Sequence, residues 1–263
     1  MLFIRSTLFN IAFYINTIGR LLAMAPTMMF GTTAQTLALA KKWASTSVWL
    51  HAKIAGTHIE IEGLENIPEG GFIFAAQHQS SWDTFAFMPL LRSPVFIYKK
   101  ELNSVPLFGH CLRKTEMIPV DRKARGKAMA GVLKGAKHEV SENGRQLFIF
   151  PEGTRRPAGA DFEYKFGVGR IYKEIEVPIV PVALVSGLFW PRNSFLRQPG
   201  RFKARILPPI EAGLSIEAVM EKLINVTEEA SDDLLIQTIK HNPHLKLSDQ
   251  VKARIALIKA KTA

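Results

Sequence analysis

One cysteine, Cys111, is all that the 263-residue chain contains, so no disulfide can close within it. That fits a reducing compartment such as the cytoplasm. Acidic residues are also outnumbered: 23 Asp and Glu stand against 34 Lys and Arg, a formal net charge of +11. The excess favours anionic partners, whether nucleic acid, an anionic membrane surface or phosphorylated substrates, and does not choose among them. Several chemistries lack their marks. No Gly-x-Ser-x-Gly elbow surrounds Ser80 or Ser81, which counts against a serine hydrolase. Gly167-Val168-Gly169 runs into Arg170-Ile171-Tyr172 without a third glycine, a poor dinucleotide fingerprint, and no Gly-x-x-x-x-Gly-Lys-Ser/Thr is present. Cys111 and the scattered histidines give no metal spacing. There is no internal repeat and no low-complexity linker.

What is present is apolar: 47% of the residues are hydrophobic, enough for one sizeable core and at most two domains. From Met1 to Ala40 the only charges are Arg5 and Arg20, and Lys41-Lys42 closes the run. A membrane span needs roughly 20 apolar residues. Leu21 to Ala40 has that length, but Pro26, Gly31, Gln35 and several threonines weaken it, and Ser6 to Gly19 is too short to cross upright. A helical hairpin dipping into one leaflet, with Arg and Lys at the headgroups, fits better than two spans, and a single span is the alternative. Trp43 to Ala55 reads as an interfacial continuation, with Trp43 and Trp49 at the headgroup boundary. A cleaved signal peptide is disfavoured, because Arg20 interrupts the apolar region and Pro26 follows Ala23-Met24-Ala25. A buried soluble helix pair is the remaining alternative.

The globular part is expected from about residue 56. Thr57 to Gly63 alternates apolar and polar residues like a half-exposed strand, and Asn66 to Gly71 makes a turn. Strand and helix character then alternate. Strands are expected at Phe72–Ala76, Val95–Tyr98, Glu116–Val120, Gln146–Phe150 and Val177–Val185, with an edge strand at Phe202–Leu207. Helices are expected at Pro106–Arg113 and Lys123–Val140. The pattern implies an α/β domain over 56–212 with a mostly parallel or mixed sheet flanked by helices. Amphipathic helices over Ser215–Lys240 and Ser248–Lys261 make a tail over 213–263.

Four polar stretches follow strand signals. Gln77-His78-Gln79-Ser80-Ser81-Trp82-Asp83 comes directly after Phe72–Ala76. Five positions on a regular helix turn two side chains well over a hundred degrees apart, so His78 belongs to a loop and Asp83 to the start of a helix. A carboxylate that holds one imidazole nitrogen leaves the other free to take a proton from a hydroxyl. The bland alternative is a helix cap beside an ordinary loop histidine. Phe150-Pro151-Glu152-Gly153-Thr154-Arg155-Arg156 follows the next buried strand. There glycine admits an anion close to the backbone, and arginine offers a planar fork to phosphate. Val120-Asp121-Arg122 ends a third strand, and Lys99-Lys100 a fourth. In an open α/β sheet all of these fall on the carboxyl side, where ligands collect.

In this order the stretches resemble the lysophosphatidate acyltransferase family, the 1-acyl-glycerol-3-phosphate O-acyltransferases. His78-x-x-x-x-Asp83 is similar to its first motif, Gly109 to Arg122 to the second, Phe150 to Arg155 to the third, and Val177 to Val182 to the fourth. The resemblance covers roughly Gly56 to Pro209, and the first and third motifs together are specific. Gln77 departs from the family's usual asparagine. The resemblance implies direct transfer of a fatty acyl group from acyl-CoA or acyl carrier protein to the free sn-2 hydroxyl of lysophosphatidic acid, with no further cofactor and no metal. His78 is the expected general base, oriented by Asp83. Lys99, Arg122, Glu152, Gly153, Thr154 and Arg155 are the expected binders of the acceptor phosphate. Membrane lipids, an anionic membrane surface and acyl carrier protein are the expected partners, on the cytoplasmic face of the inner or plasma membrane. Related acyltransferases take glycerol 3-phosphate or other lyso-lipids. The rival from another class is a non-catalytic basic protein bound to membrane or nucleic acid. Nucleic acid is disfavoured because the aromatic and basic recognition motifs are missing.

Overall fold

The computed structural model describes residues 1–121, 123 and 126–262. Its strands are β1 (Thr57–Glu62), β2 (Phe72–Ala76), β3 (Pro94–Lys99), β4 (Ile118–Val120), β5 (Gln146–Ile149), β6 (Ile179–Leu184) and β7 (Gly200–Ile206). The helices are α1 (Leu2–Phe30), α2 (Thr33–Leu50), α3 (Asp83–Ala86), α4 (Phe108–Lys114), α5 (Gly126–Ala136), α6 (Gly167–Ile175), α7 (Ile216–His241) and α8 (Asp249–Thr262).

The strands form one sheet in the order β1-β7-β6-β2-β5-β3-β4. All neighbours are parallel except β6 and β7. β2 lies between β6 and β5 and reads Phe-Ile-Phe-Ala-Ala, every residue buried. Such a continuous apolar run is what a parallel strand covered on both faces requires. The links from β2 to β3 and from β3 to β4 step toward one edge of the sheet, and those from β4 to β5 and from β5 to β6 step back. Right-handed crossovers running in opposite directions put their helices on opposite faces. Accordingly α4 packs on α1 and α2, and α2 on α3, whereas α5 packs on α6, α6 on α7, and α7 on β6 and β7. Adjacent strands β2 and β5 therefore send their carboxyl-end loops opposite ways, which opens a crevice between them.

Phe202–Ile206 is not an edge. β7 sits between β1 and β6, and its polar positions pair sideways: Lys203 Nζ reaches Glu62 Oε1 at 2.6 Å, and Arg205 Nε reaches Glu62 Oε2 at 2.9 Å. The alternation reflects charge pairing with the neighbouring strand rather than exposure of an edge.

The N-terminal hairpin is present, with its turn at Gly31-Thr32. Thr32 and Gln35 form a reciprocal capping box that starts α2, so Leu21–Ala40 is divided between two helices and is no span. Among the described residues α1 alone is long and apolar enough to cross a membrane by length and composition. Its position is that of a docked helix: Ser6, Phe9, Met24 and Met28 are buried against the protein. Ile4, Leu8, Ile11, Ile15, Ile18, Leu22 and Met29, at steps of mostly three and four, are exposed. Arg5 and Arg20 turn inward to Ile54 O and Thr46 Oγ1 instead of toward headgroups. Trp43 likewise donates to Thr17 Oγ1 at 3.0 Å and packs on Phe13 and Phe85, and only Trp49 is exposed.

Candidate active site

The end of β2 and the end of β5 are in register, Ala75 beside Ile149, so the segments that follow them start side by side. The first leaves β2 with Gln77 and Gln79 turned inward toward β6. Leu184 N–H donates to Gln77 Oε1 at 2.9 Å, Gln79 Nε2 donates to Leu184 O at 2.9 Å, and Gly187 N–H donates to Gln79 Oε1 at 3.1 Å. The two glutamines pin the loop on either side of His78.

Asp83 opens the short helix α3, but its side chain caps the loop and not the helix. Oδ2 accepts the backbone N–H groups of Gln79 and Ser80, each at 2.7 Å, and lies 3.2 Å from His78 Nδ1. Oδ1 accepts the hydroxyl of Ser186, just beyond β6, at 2.5 Å. The carboxylate is fully buried, and three donors satisfy it besides the imidazole. Since it can only accept, Nδ1 of His78 carries the hydrogen and Nε2 keeps its lone pair. Nε2 makes no hydrogen bond within the described protein, and the ring is 14% exposed. The imidazole lies flat on Phe150, with ring centroids 3.9 Å apart and planes 17° apart, which holds its tilt. One imidazole nitrogen is thus oriented and the other open, the geometry that a general base requires.

The second segment is tied to the first through main-chain groups. His78 N–H donates to Glu152 Oε2 at 2.8 Å, and Arg156 N–H donates to His78 O at 2.7 Å. Burial pushes the Glu152 carboxyl up to about 8; the His78 and Glu152 N–H groups and Arg156 oppose the shift, and Asp83 adds to it. At Gly153 the chain turns through φ +65°, with Gly153 N–H donating to Phe150 O at 2.9 Å. Gly153 and Thr154 are exposed there, and Arg155 reaches back to Ser81 Oγ at 2.9 Å.

Of the eight residues singled out from the sequence, six are gathered here: His78, Asp83, Glu152, Gly153, Thr154 and Arg155. Lys99 ends β3, exposed, on the same carboxyl side of the sheet but one strand beyond β5. Arg122 lies outside the described residues. Ser186 escaped the sequence reading altogether, and Gln79, Arg156 and Phe150, the ring beneath His78, lay inside the quoted stretches without a role of their own. The signal for Ser186 was its place directly after an apolar strand. Nothing in the sequence points from it to Asp83.

Residues 58–185 match the Acyltransferase family model. A 1-acyl-sn-glycerol-3-phosphate acyltransferase of Pseudomonas aeruginosa is 32% identical over 172 residues, 65% of this chain and 66% of that protein. The chain is thus similar to the acyltransferase family over its central residues. A 1-acyl-sn-glycerol-3-phosphate acyltransferase alpha of Mus musculus is 28% identical over 197 residues, 70% of this chain and 69% of the mouse protein. The match thus spans just under two thirds of the length of the Pseudomonas relative. The crystal structure of the 1-acyl-sn-glycerophosphate (LPA) acyltransferase from Thermotoga maritima superposes with a TM-score of 0.71 at 22% identity, covering 89% of this chain and 99% of that one. That likeness establishes the shared α/β fold.

Proposed function

We propose that this protein moves a fatty acyl group from a thioester, carried on coenzyme A or acyl carrier protein, to the sn-2 hydroxyl of lysophosphatidic acid, giving phosphatidic acid. The observation that carries the reading is the pairing of His78 with Asp83 beside the Glu152–Arg155 bend, at the carboxyl ends of two adjacent parallel strands. His78 Nε2 takes the hydroxyl proton as the acceptor oxygen attacks the thioester carbonyl. The tetrahedral intermediate then expels the thiolate, which takes that proton back from the imidazolium. An ester and a free thiol result, and no protein nucleophile, metal or additional cofactor is involved. General-base help of this kind is worth roughly 10²–10⁴-fold. Gly153, Thr154 and Arg155, with Lys99 and Arg122 from neighbouring strand ends, bind the acceptor phosphate, while Glu152 holds the His78 backbone.

The exposed apolar stripe of α1 lies in one membrane leaflet, on the cytoplasmic face, and brings the crevice to lipid substrates. Nucleic acid has no part in this reading. The test is incubation of the purified protein with acyl-CoA or acyl carrier protein thioester and a panel of acceptors: lysophosphatidic acid, glycerol 3-phosphate and lyso-lipids with larger headgroups. Mass analysis of the lipids is expected to show phosphatidic acid as the main product. Its absence while another acceptor is acylated would reassign the substrate.

A further inference from the structure

The loop from Ser186 to Pro199, between β6 and β7, is fastened at three places. At its start Ser186 donates to Asp83 Oδ1. In its middle Arg192 Nη1 donates to Arg155 O at 2.9 Å. Near its end Arg197 binds α1 twice, with its N–H on Ser6 Oγ at 2.9 Å and Nη2 on Asn10 Oδ1 at 3.1 Å. The Arg197 guanidinium also lies 4.2 Å from the Trp190 ring centre, so this end is rigid. The same short loop touches the catalytic carboxylate, the bend of the phosphate-binding stretch and the N-terminal helix.

Between the second and third fastenings the chain turns sharply. Asn193 takes φ +60°, and Ser194 N–H donates to Pro191 O at 3.2 Å. The turn presents Phe195, 48% exposed, with its ring centroid 5.4 Å from that of Phe3, itself 65% exposed. Asn10 Nδ2 donates to Phe195 O at 3.3 Å and holds the loop to α1. The aromatic pair is continuous with the stripe of Ile4, Leu8, Ile11 and Ile15, an apolar surface too extended for water alone. No Asp or Glu occurs in residues 1–55, and Lys42 and Lys53 there are exposed, so the charge of this segment suits an anionic lipid surface.

We infer that this loop is a second contact with an anionic phospholipid bilayer, laying Phe195 beside Phe3 in the interface, and that its seating positions Asp83 through Ser186 and the Gly153–Arg155 bend through Arg192. The contact stands on the surface alone, whereas the positioning role rests on the acyl-transfer reading. Arg192 is a positioning residue: it touches Arg155 O, and the substrate is reached only through that bend.

Two measurements test the two halves. Cys111 is buried, so Phe195→Cys offers the accessible thiol for an environment-sensitive fluorophore, and Lys173→Cys on α6 provides a control on the other face of the sheet. On vesicles of equal phosphatidylglycerol and phosphatidylcholine, the label at 195 is expected to shift to the blue and the label at 173 to stay unchanged. A water-like spectrum at 195 while the protein sediments with the vesicles, or no sedimentation at all, overturns the contact. For the second half, Arg192→Ala is expected to sediment with vesicles like the parent. Its KM for vesicle-borne acceptor should rise about threefold to tenfold, the worth of one hydrogen bond, with kcat near the parent's. Arg192→Lys, which can still donate to Arg155 O, should reverse most of the rise. An unchanged acceptor KM in Arg192→Ala overturns the positioning role. If the parent protein transfers no acyl group to any acceptor, the proposed function fails and the positioning role falls with it, whereas the label at 195 still decides the contact.

Discussion

The backbone N–H of His78 donates to Glu152 Oε2 at 2.8 Å although the two residues are 74 positions apart. This bond welds the His78 loop to the bend after β5, and its acceptor is a buried carboxyl whose pKa is pushed up to about 8. Between about pH 4.5 and 8 the folded protein therefore holds a proton that the unfolded chain has lost. Stability is highest below pH 4.5 as far as this group is concerned, and falls as pH rises toward 8. At ~1.4 kcal/mol per pH unit the full change is of the order of 5 kcal/mol. Glu152→Gln imitates the protonated form. Thermal unfolding across this window should show a falling Tm for the parent and a flatter one for the variant; parallel curves would remove Glu152 as the cause.

His78→Ala and Asp83→Asn address the base itself. An asparagine at 83 can keep its oxygen toward Gln79 N–H, Ser80 N–H and His78, and turn its NH2 to the Ser186 hydroxyl, so the fold should survive. What it loses is the negative charge that stabilises the imidazolium. Acyl-transfer kcat should drop by roughly 10²–10⁴ in both variants, with Tm near the parent's. Parental turnover in either one would defeat the dyad.

Gln77 stands where the family's usual residue is asparagine, and the structure gives the longer side chain a task. Its Oε1 accepts Leu184 N–H deep in the sheet. Gln77→Asn shortens the arm by one methylene and leaves a buried N–H without its partner, which costs about 1–3 kcal/mol. Urea unfolding should show this as a lower midpoint with the slope unchanged. No change would mean that the loop relaxes to restore the bond.

Gly153 adopts φ +65°, and a Cβ there would meet nothing closer than Lys165 Cγ at 3.7 Å. Space is thus available, and the penalty for Gly153→Ala is the left-handed backbone alone, roughly 1–2 kcal/mol. The bend should shift more than the core. The expected signature is a raised acceptor KM with a modest fall in Tm, read by steady-state kinetics beside thermal unfolding. Unaltered KM would separate Gly153 from acceptor binding.

The α/β class, most strands and the N-terminal hairpin were legible in the sequence because each depends on local periodicity: five buried residues for β2, alternation for β1, apolar runs for α1. The misplacements came where local pattern has two causes. β7 alternates like an edge strand, but its outward charges are answered by Glu62 and Asp233, and Trp43 looks interfacial but fills the seam between α1 and α3.

His78, Asp83 and the Pro151–Arg155 bend were identified as polar clusters directly after buried strands, since residue type and spacing suffice for that. Their common crevice was decided by the strand order, in which β2 and β5 become neighbours across 69 intervening residues. Ser186 under Asp83, Phe150 beneath the imidazole and the loop joining Asp83 to α1 belong wholly to tertiary structure. A hydrogen bond or ring contact is set by distances of a few ångströms between atoms, and the order of residues along a chain carries no such distance until the sheet has closed around them.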